Sequence, residues 1–370
     1  VSAAPVELPR WADVALAPAL SVLAAFLVAG LVVLAIGEHP ATAITLLIKG
    51  SLGSAEGIGF TLYYATSFIF TGLAVAVAYH AGLFNIGGEG QAILAGIGAA
   101  LVALALPGLP GPWLAALCIL AAAGFGAGWG LIPGWLQARR GSHVVITTIM
   151  FNFLAAALLV WLLGGPMGKA GAMGPETREF TSGAVLPALH DMLRPLGVRL
   201  PRTPLNLSIL LALLSALAVW LLIHRSRLGY AMRVIGANPE AGIYAGVSPA
   251  RITMVAMAVS GALAGGLAVN EILGVQHRLV LDFTGGYGFV GIAVALMGRA
   301  HPVGIILAAL LFGMLHQGGA ELSFERPAIT RDMVVVIGGV IILFAGALDG
   351  MFRRLAALLL RPFLTRAAKP

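Results

Sequence analysis

Apolar stretches of about 20 residues recur along almost the whole of this 370-residue chain, and they leave the backbone few solutions. A helix of that length crosses a hydrocarbon layer about 30 Å thick and satisfies its N–H and C=O groups internally. A closed barrel would show short segments of alternating polarity instead, and these are absent. With 59% hydrophobic and 10% charged residues, against roughly a quarter charged in soluble domains, the chain reads as an all-α, polytopic transmembrane helical bundle.

Long apolar runs with polar ends predict about ten spans, near 14–36, 58–79, 91–106, 113–135, 143–163, 205–224, 252–274, 287–298, 303–317 and 333–349. The eighth is short for a full crossing and is expected to be tilted, broken or re-entrant. Ten crossings put both termini on one side. With Arg139 and Arg140 in the cytoplasm, that side collects most of the Lys and Arg, so both termini are expected to be cytoplasmic. The net charge of +7 is then an orientation signal, and nucleic acid is not needed as a partner. The first span is too long, and too far from a basic segment, for a cleaved secretory signal. A single cysteine, Cys118, excludes an intrachain disulfide and reads as a buried, inert thiol.

No soluble domain interrupts the chain, so residues 1–370 read as one transmembrane domain. The longest non-spanning stretch, 164–204, falls outside, is rich in Gly and Pro with mixed charge, and has room for a short helix around 187–193. It is either a landing place for an external partner or a solvated connector. The cytoplasmic stretch 225–251 is better organised. Within GANPEAGIYAGVSPAR, Asn238 suits an N-cap, Pro239 the first helical turn, Glu240 the positive end of the dipole, and Gly246 the stop. The resulting short helix has small or apolar side chains at Ala241, Ile243, Tyr244, Ala245 and Val247. It lies in the headgroup layer or docks into a cytoplasmic partner.

Glycine is abundant, 49 residues, and small-xxx-small spacings such as Gly124/Gly128 and Gly261/Gly265 predict close helix contacts. The segment HAGLFNIGGEGQ, residues 80–91, is the principal polar break among the spans. Glu89 there suggests a functional or paired carboxylate, although the span boundaries put it near an interface that water reaches. Asn85 and Gln91, beside backbone freed by Gly87, Gly88 and Gly90, offer hydrogen bonds to a polar solute, and Phe84 offers a ring to stack or to pack. A second Gly-aromatic stretch, DFTGGYGF at 282–289, falls on the outer side. Its Tyr287 and Phe289 either line the outer end of a path or anchor the interface. The stretches beginning at Gly72 and Gly291 echo each other, each a Gly-bearing span, a His-containing break and another Gly-rich span, as in transporters built from repeats.

No His cluster has metal-ligand spacing, so no metal is expected. Walker A, GxSxG and HExxH patterns are absent, so the chain is not expected to be an enzyme. Energy for active transport has to come from an ion gradient or another subunit, and the spans show no series of central carboxylates that would suggest a proton relay.

Three segments in order, GLFNIGGEGQAILAG, RVIGANPEAGIYAGVSPARITMVAMAVSGALAGGLA and GFVGIAVALMGRAHPVGIILAALLFG, resemble the permease subunits of bacterial ABC importers for simple sugars and nucleosides. The form FNIG-EGQ is similar to the nucleoside branch that works with a basic-membrane-protein-type lipoprotein. The resemblance implies import of nucleosides, purine nucleosides first, across the bacterial cytoplasmic membrane. It implies a second permease subunit, usually a different chain, an external substrate-binding lipoprotein and a cytoplasmic ATPase that carries ATP and Mg. It assigns ATPase coupling to Asn238, Pro239, Glu240, Ala241, Tyr244, Ala245 and Gly246, and the translocation pathway to Phe84, Asn85, Glu89 and Gln91. The alternatives are a ribose-like sugar permease and a gradient-driven secondary transporter.

Overall fold

The computed structural model describes residues 16–326, together with residues 9, 12, 329, 336, 339, 340, 343, 351, 357 and 360. The expected tenth span, 333–349, lies outside the continuously described residues. The chain divides into two compact units, 1–51 with 314–370, and 52–313.

In the first unit, α1 (Ala17–Ala35) and α2 (Pro40–Leu52) form a pair bent by 117°. Gly37, at φ +90°, turns the chain where a residue with a Cβ would be strained. Ser21, Ala25, Ala29 and Val33 are buried while Leu23, Leu27, Leu31 and Leu34 are exposed, so every fourth residue meets protein. On α2 the buried stripe is Ala43, Leu47 and Ser51. Sequence reading assigned no element to α2.

The second unit is built around two buried helices, α3 (Ala55–His80) and α4 (Gly88–Ala105). Ser54 caps α3 by accepting from Gly57 N at 2.9 Å. From Ala65 to Ala78 every residue of α3 is buried, as expected of a helix apolar all round. The more peripheral α5 (Gly111–Arg140) and α6 (Val144–Gly164) bury one stripe each. On α5 this is Leu114, Cys118, Ala122, Gly126 and Gly130. The loop 164–204 contains α7 (Leu189–Leu193), close to the short helix expected there. It is an organised cap: Thr177 N donates to Leu279 O at 3.0 Å, Phe180 N to His277 O at 2.8 Å and Leu186 N to Leu273 O at 2.9 Å.

Next come α8 (Ser208–Arg225), α9 (Arg227–Ala237), α10 (Pro239–Tyr244) and α11 (Pro249–Ala268), the last continuing as a π-helix over Val269–Gln276. α12 (Tyr287–Met297) and α13 (Pro302–Glu325) follow. Seven described helices are long and apolar enough to cross a membrane, or eight if the bent pair is one span, somewhat fewer than the ten expected. The expected eighth span is the 11-residue α12, which at 1.5 Å per residue reaches about 16 Å, half of a hydrocarbon layer.

The α5–α11 contact corrects one expectation. Gly261 and Gly265 do meet α5, but across from Gly126 and Ala122, whose backbones they touch, whereas Gly124 and Gly128 have open space beside them. Glycines two residues apart lie on different faces of a helix, and spacing alone does not choose between them. Any side chain at Gly261 would run into the Gly126 carbonyl. Gly261→Leu is therefore expected to cost about 3 kcal/mol or more through overpacking and to remove monodisperse protein in detergent, while Gly124→Leu leaves the yield unchanged.

Candidate solute pathway and coupling surface

The break between α3 and α4 is a turn followed by an extended climb. Gly82, at φ +72°, reverses the chain after His80, Leu83 N donates back to Ala78 O at 3.0 Å, and residues 83–86 lie outside any helix. Asn85 Nδ2 donates to Ser260 Oγ at 2.8 Å, and Ser260 Oγ donates to Ala74 O at 2.6 Å. Ala74 is six residues before His80 on α3, so the extended stretch has returned about 9 Å along the helix it just left. Asn85 Nδ2 also donates to Gln91 Oε1 at 2.9 Å, Gln91 Nε2 to Asn85 Oδ1 at 3.2 Å, and Gly87 N to Asn85 Oδ1 at 2.8 Å. Both amides are buried and hold each other. Asn152 of α6 closes the other side, accepting from Gly90 N at 2.9 Å and donating to Ile86 O at 3.0 Å. Phe84 is half-buried.

Glu89, 8% exposed, lies at the centre of this region. Its carboxylate accepts from Gly286 N at 3.1 Å and Gly288 N at 2.8 Å, and from the Thr284 hydroxyl. These backbone donors belong to the start of α12, while Glu89 itself sits in the first turn of α4. One negative charge thus serves two helix N-termini, each carrying a partial positive charge and orphan N–H groups. The approach is close: a Cβ on Gly288 would collide with Glu89, and one on Gly88 would come within 3.4 Å of Gly288 O.

This contact corrects the separation assigned to the two segments. Glu89 was expected near an interface that water reaches and 282–289 on the outer side, yet they are hydrogen-bonded together. The short α12 and the stretch 83–87, which returns along α3, let them meet.

Beside the Glu89 contact lies a cavity of about 290 Å³, lined by Glu89, Asn152, Phe153, Asp282, Thr284 and Phe289 together with aliphatic side chains of α4 and α6. Its polar groups are chiefly acceptors, and no Lys or Arg contributes to the lining. Phe289 is 48% exposed. Tyr287 is placed elsewhere, edge-on to Phe68 at 5.3 Å and to Tyr64 at 6.2 Å.

Sequence reading passed over a second buried network. Glu271, in the π-helix, accepts from the Tyr63 hydroxyl and from Ser67 Oγ at 2.9 Å. Its neighbour Asn270 donates to Ser67 Oγ at 2.7 Å and accepts from Ser208 Oγ at 2.7 Å and Asn206 Nδ2 at 3.0 Å. The signal was the adjacent Asn-Glu pair within the apolar run 252–274.

Elsewhere in the unit, α8, α9 and α10 make a corner. Ser226 caps α9 through Gly229 N at 2.9 Å, and Arg233 donates to Ile223 O. Asn238 caps α10 as expected, accepting from Glu240 N at 2.9 Å and Ala241 N at 3.1 Å. Gly246, at φ +75°, ends it, with Val247 N donating to Gly242 O at 2.9 Å. Gly242 is buried against Ile235 of α9. Asn238, Pro239, Glu240, Ala241, Tyr244, Ala245 and Gly246 are all exposed, and Tyr244 is 94% so. A capped helix standing on its neighbour and presenting an aromatic side chain outward is built to meet something.

Residues 57–346 match the family model described as the permease component of branched-chain amino acid transport systems. The chain belongs to this permease family. It is 35% identical to the glucose ABC transporter permease protein TsgB13 of Haloferax volcanii over 88% of this chain and 86% of that one. It is 34% identical to the guanosine ABC transporter permease protein NupP of Bacillus subtilis, over 90% and 93% respectively. To the nucleoside ABC transporter permease protein NupB of Lactococcus lactis it is 32% identical, over 89% and 90%. No solved structure matches. The chain is thus a multi-pass ABC transporter permease subunit, as its motifs implied.

Proposed function

We propose that this permease passes nucleosides, purine nucleosides first, into the cell across the bacterial cytoplasmic membrane, with both termini cytoplasmic. ATP and Mg are bound by a separate cytoplasmic ATPase that docks on α10, and an external lipoprotein delivers the solute to a pair of permeases formed with a second, different chain. The cavity beside Glu89 carries the solute assignment. An aliphatic wall with two aromatic rings, Phe153 and Phe289, suits a flat base, and the acceptor-rich end, Glu89 with Asp282 and Asn152, suits its N–H donors. A lining without Lys or Arg does not favour a phosphorylated solute. Phe84, Asn85, Gln91, Tyr287 and Phe289 complete the proposed pathway, Asn85 and Gln91 by holding its backbone. Affinity resides in the binding protein, so weak contacts in the permease are enough and release stays fast.

A simple-sugar reading is favoured by the glucose permease among the relatives. Cells expressing this chain with its partners, given labelled guanosine, decide between the two. Competition by unlabelled adenosine but not by ribose or glucose supports the nucleoside reading; competition by the sugars alone moves the substrate to that class.

A further inference from the structure

The two broken spans are tied together at their cytoplasmic ends, in an arrangement that the pathway and the docking helix do not by themselves require. His80, the last residue of α3, donates from Nε2 to Ala300 O at 3.0 Å, in the turn between α12 and α13. Arg299 and Ala300 in that turn both have φ +52°, a region disfavoured for residues with a Cβ and kept only where the surroundings impose it. The imidazole of His224, at the end of α8, contacts both other rings of the corner, with centroids 6.3 Å from His80 and 5.5 Å from His301. These imidazoles are not a metal-holding group. His301 is held below the ordinary imidazole range by burial and by its neighbour His224.

α9 presses on the same corner. A methyl group at Gly236 would stand 2.9 Å from Gly82 N and 3.1 Å from Ala81 C, and would collide with His80 O. α9 in turn carries α10 through Ile235 and Gly242. Two paths leave this corner, residues 83–88 and α12, and they meet again at the hydrogen bond from Gly288 N to Glu89. The segments form a closed frame with α9 at one end and Glu89 at the other.

We propose that His80 is a positioning residue for transport: its hydrogen bond to Ala300 makes the two broken spans move as one body when α9 is displaced, so that docking on α10 reaches both walls of the cavity together. This rests on the ABC reading above and adds a specific joint to it. A loose joint would let α9 move one span while the other stayed, and the cavity would deform without exchanging access.

The test uses the full transporter in proteoliposomes, with His80→Leu, His80→Gln and wild type compared for solute-stimulated ATP hydrolysis and for guanosine taken up per ATP. The expected result is hydrolysis retained in H80L with uptake per ATP down about tenfold, the scale of one lost hydrogen bond. In H80Q, whose amide can still donate to Ala300, the ratio stays within about twofold of wild type. A ratio unchanged in H80L, or uptake and hydrolysis falling in parallel, overturns the joint. Hydrogen exchange of the wild-type complex on adding ATP separates this from failure of the ABC reading. A change at 81–87 and 298–301 together upholds the joint whichever solute is carried, and a change at one segment alone refutes it. No change at either refutes the coupling reading and the joint with it.

Discussion

Replacing Tyr244 by arginine is expected to abolish uptake while leaving the permease folded and ATP hydrolysis running. Tyr244 is 94% exposed, so its loss takes nothing from the core, and substitutions at such positions usually change stability by less than about 0.5 kcal/mol. The helix beneath it is fixed independently by the Asn238 cap and the Gly246 stop. What the substitution changes is the surface offered to a partner, where an exposed aromatic side chain is the type that anchors an interface. A long cation placed in an interface without a counter-charge would be desolvated without a partner. The prediction is checked on the reconstituted transporter, as uptake per ATP hydrolysed, with detergent-extracted yield of the permease as the control for folding. Uptake at the wild-type rate would remove α10 from the coupling path.

The second large effect is expected at Glu89. Glu89→Ala strips the Gly286 and Gly288 amides and the Thr284 hydroxyl of their acceptor and leaves two helix N-termini facing each other without the intervening charge. Unmet buried donors cost about 1–3 kcal/mol each, so a loss of about 2–4 kcal/mol is anticipated even after water enters the cavity. Glu89→Gln keeps one acceptor oxygen but turns an NH₂ toward a donor, and is expected to lie between wild type and alanine. Thermal unfolding of purified protein in detergent should rank the three, and uptake should fall in the same order. Wild-type stability in E89A with uptake alone reduced would make Glu89 a solute contact without the joining role.

Much of this arrangement is written locally. Apolar runs of membrane length located the helices, because in lipid the backbone must satisfy itself within each segment. The α10 helix was legible residue by residue, since Asn238, Pro239 and Gly246 act on the chain next to them. The Glu89 contact was not legible. Its acceptor and its donors are about 200 positions apart, and nothing in GGEGQ or TGGYG says that one caps the other. The meeting of the two segments was hidden for the same reason: hydropathy does not reveal that 83–87 turns back along α3. Small helix-packing residues were recognised in kind, but on α5 glycines occur at both 124/128 and 126/130, and the face was settled by Gly261 opposite. Asn270 and Glu271 form a polar pair within the apolar run 252–274, but the groups that satisfy them, Tyr63, Ser67, Asn206 and Ser208, lie far away in sequence, so the network was not legible.

The measurement that bears most directly on the whole account is uptake of labelled guanosine by proteoliposomes holding this chain with its partner permease, ATPase and binding protein, with ATP either sealed inside the ATPase-facing compartment or omitted. The account predicts uptake only with ATP, insensitive to ionophores that collapse proton and sodium gradients, and absent when this chain is left out. Uptake that persists without ATP and collapses with the gradient would contradict it.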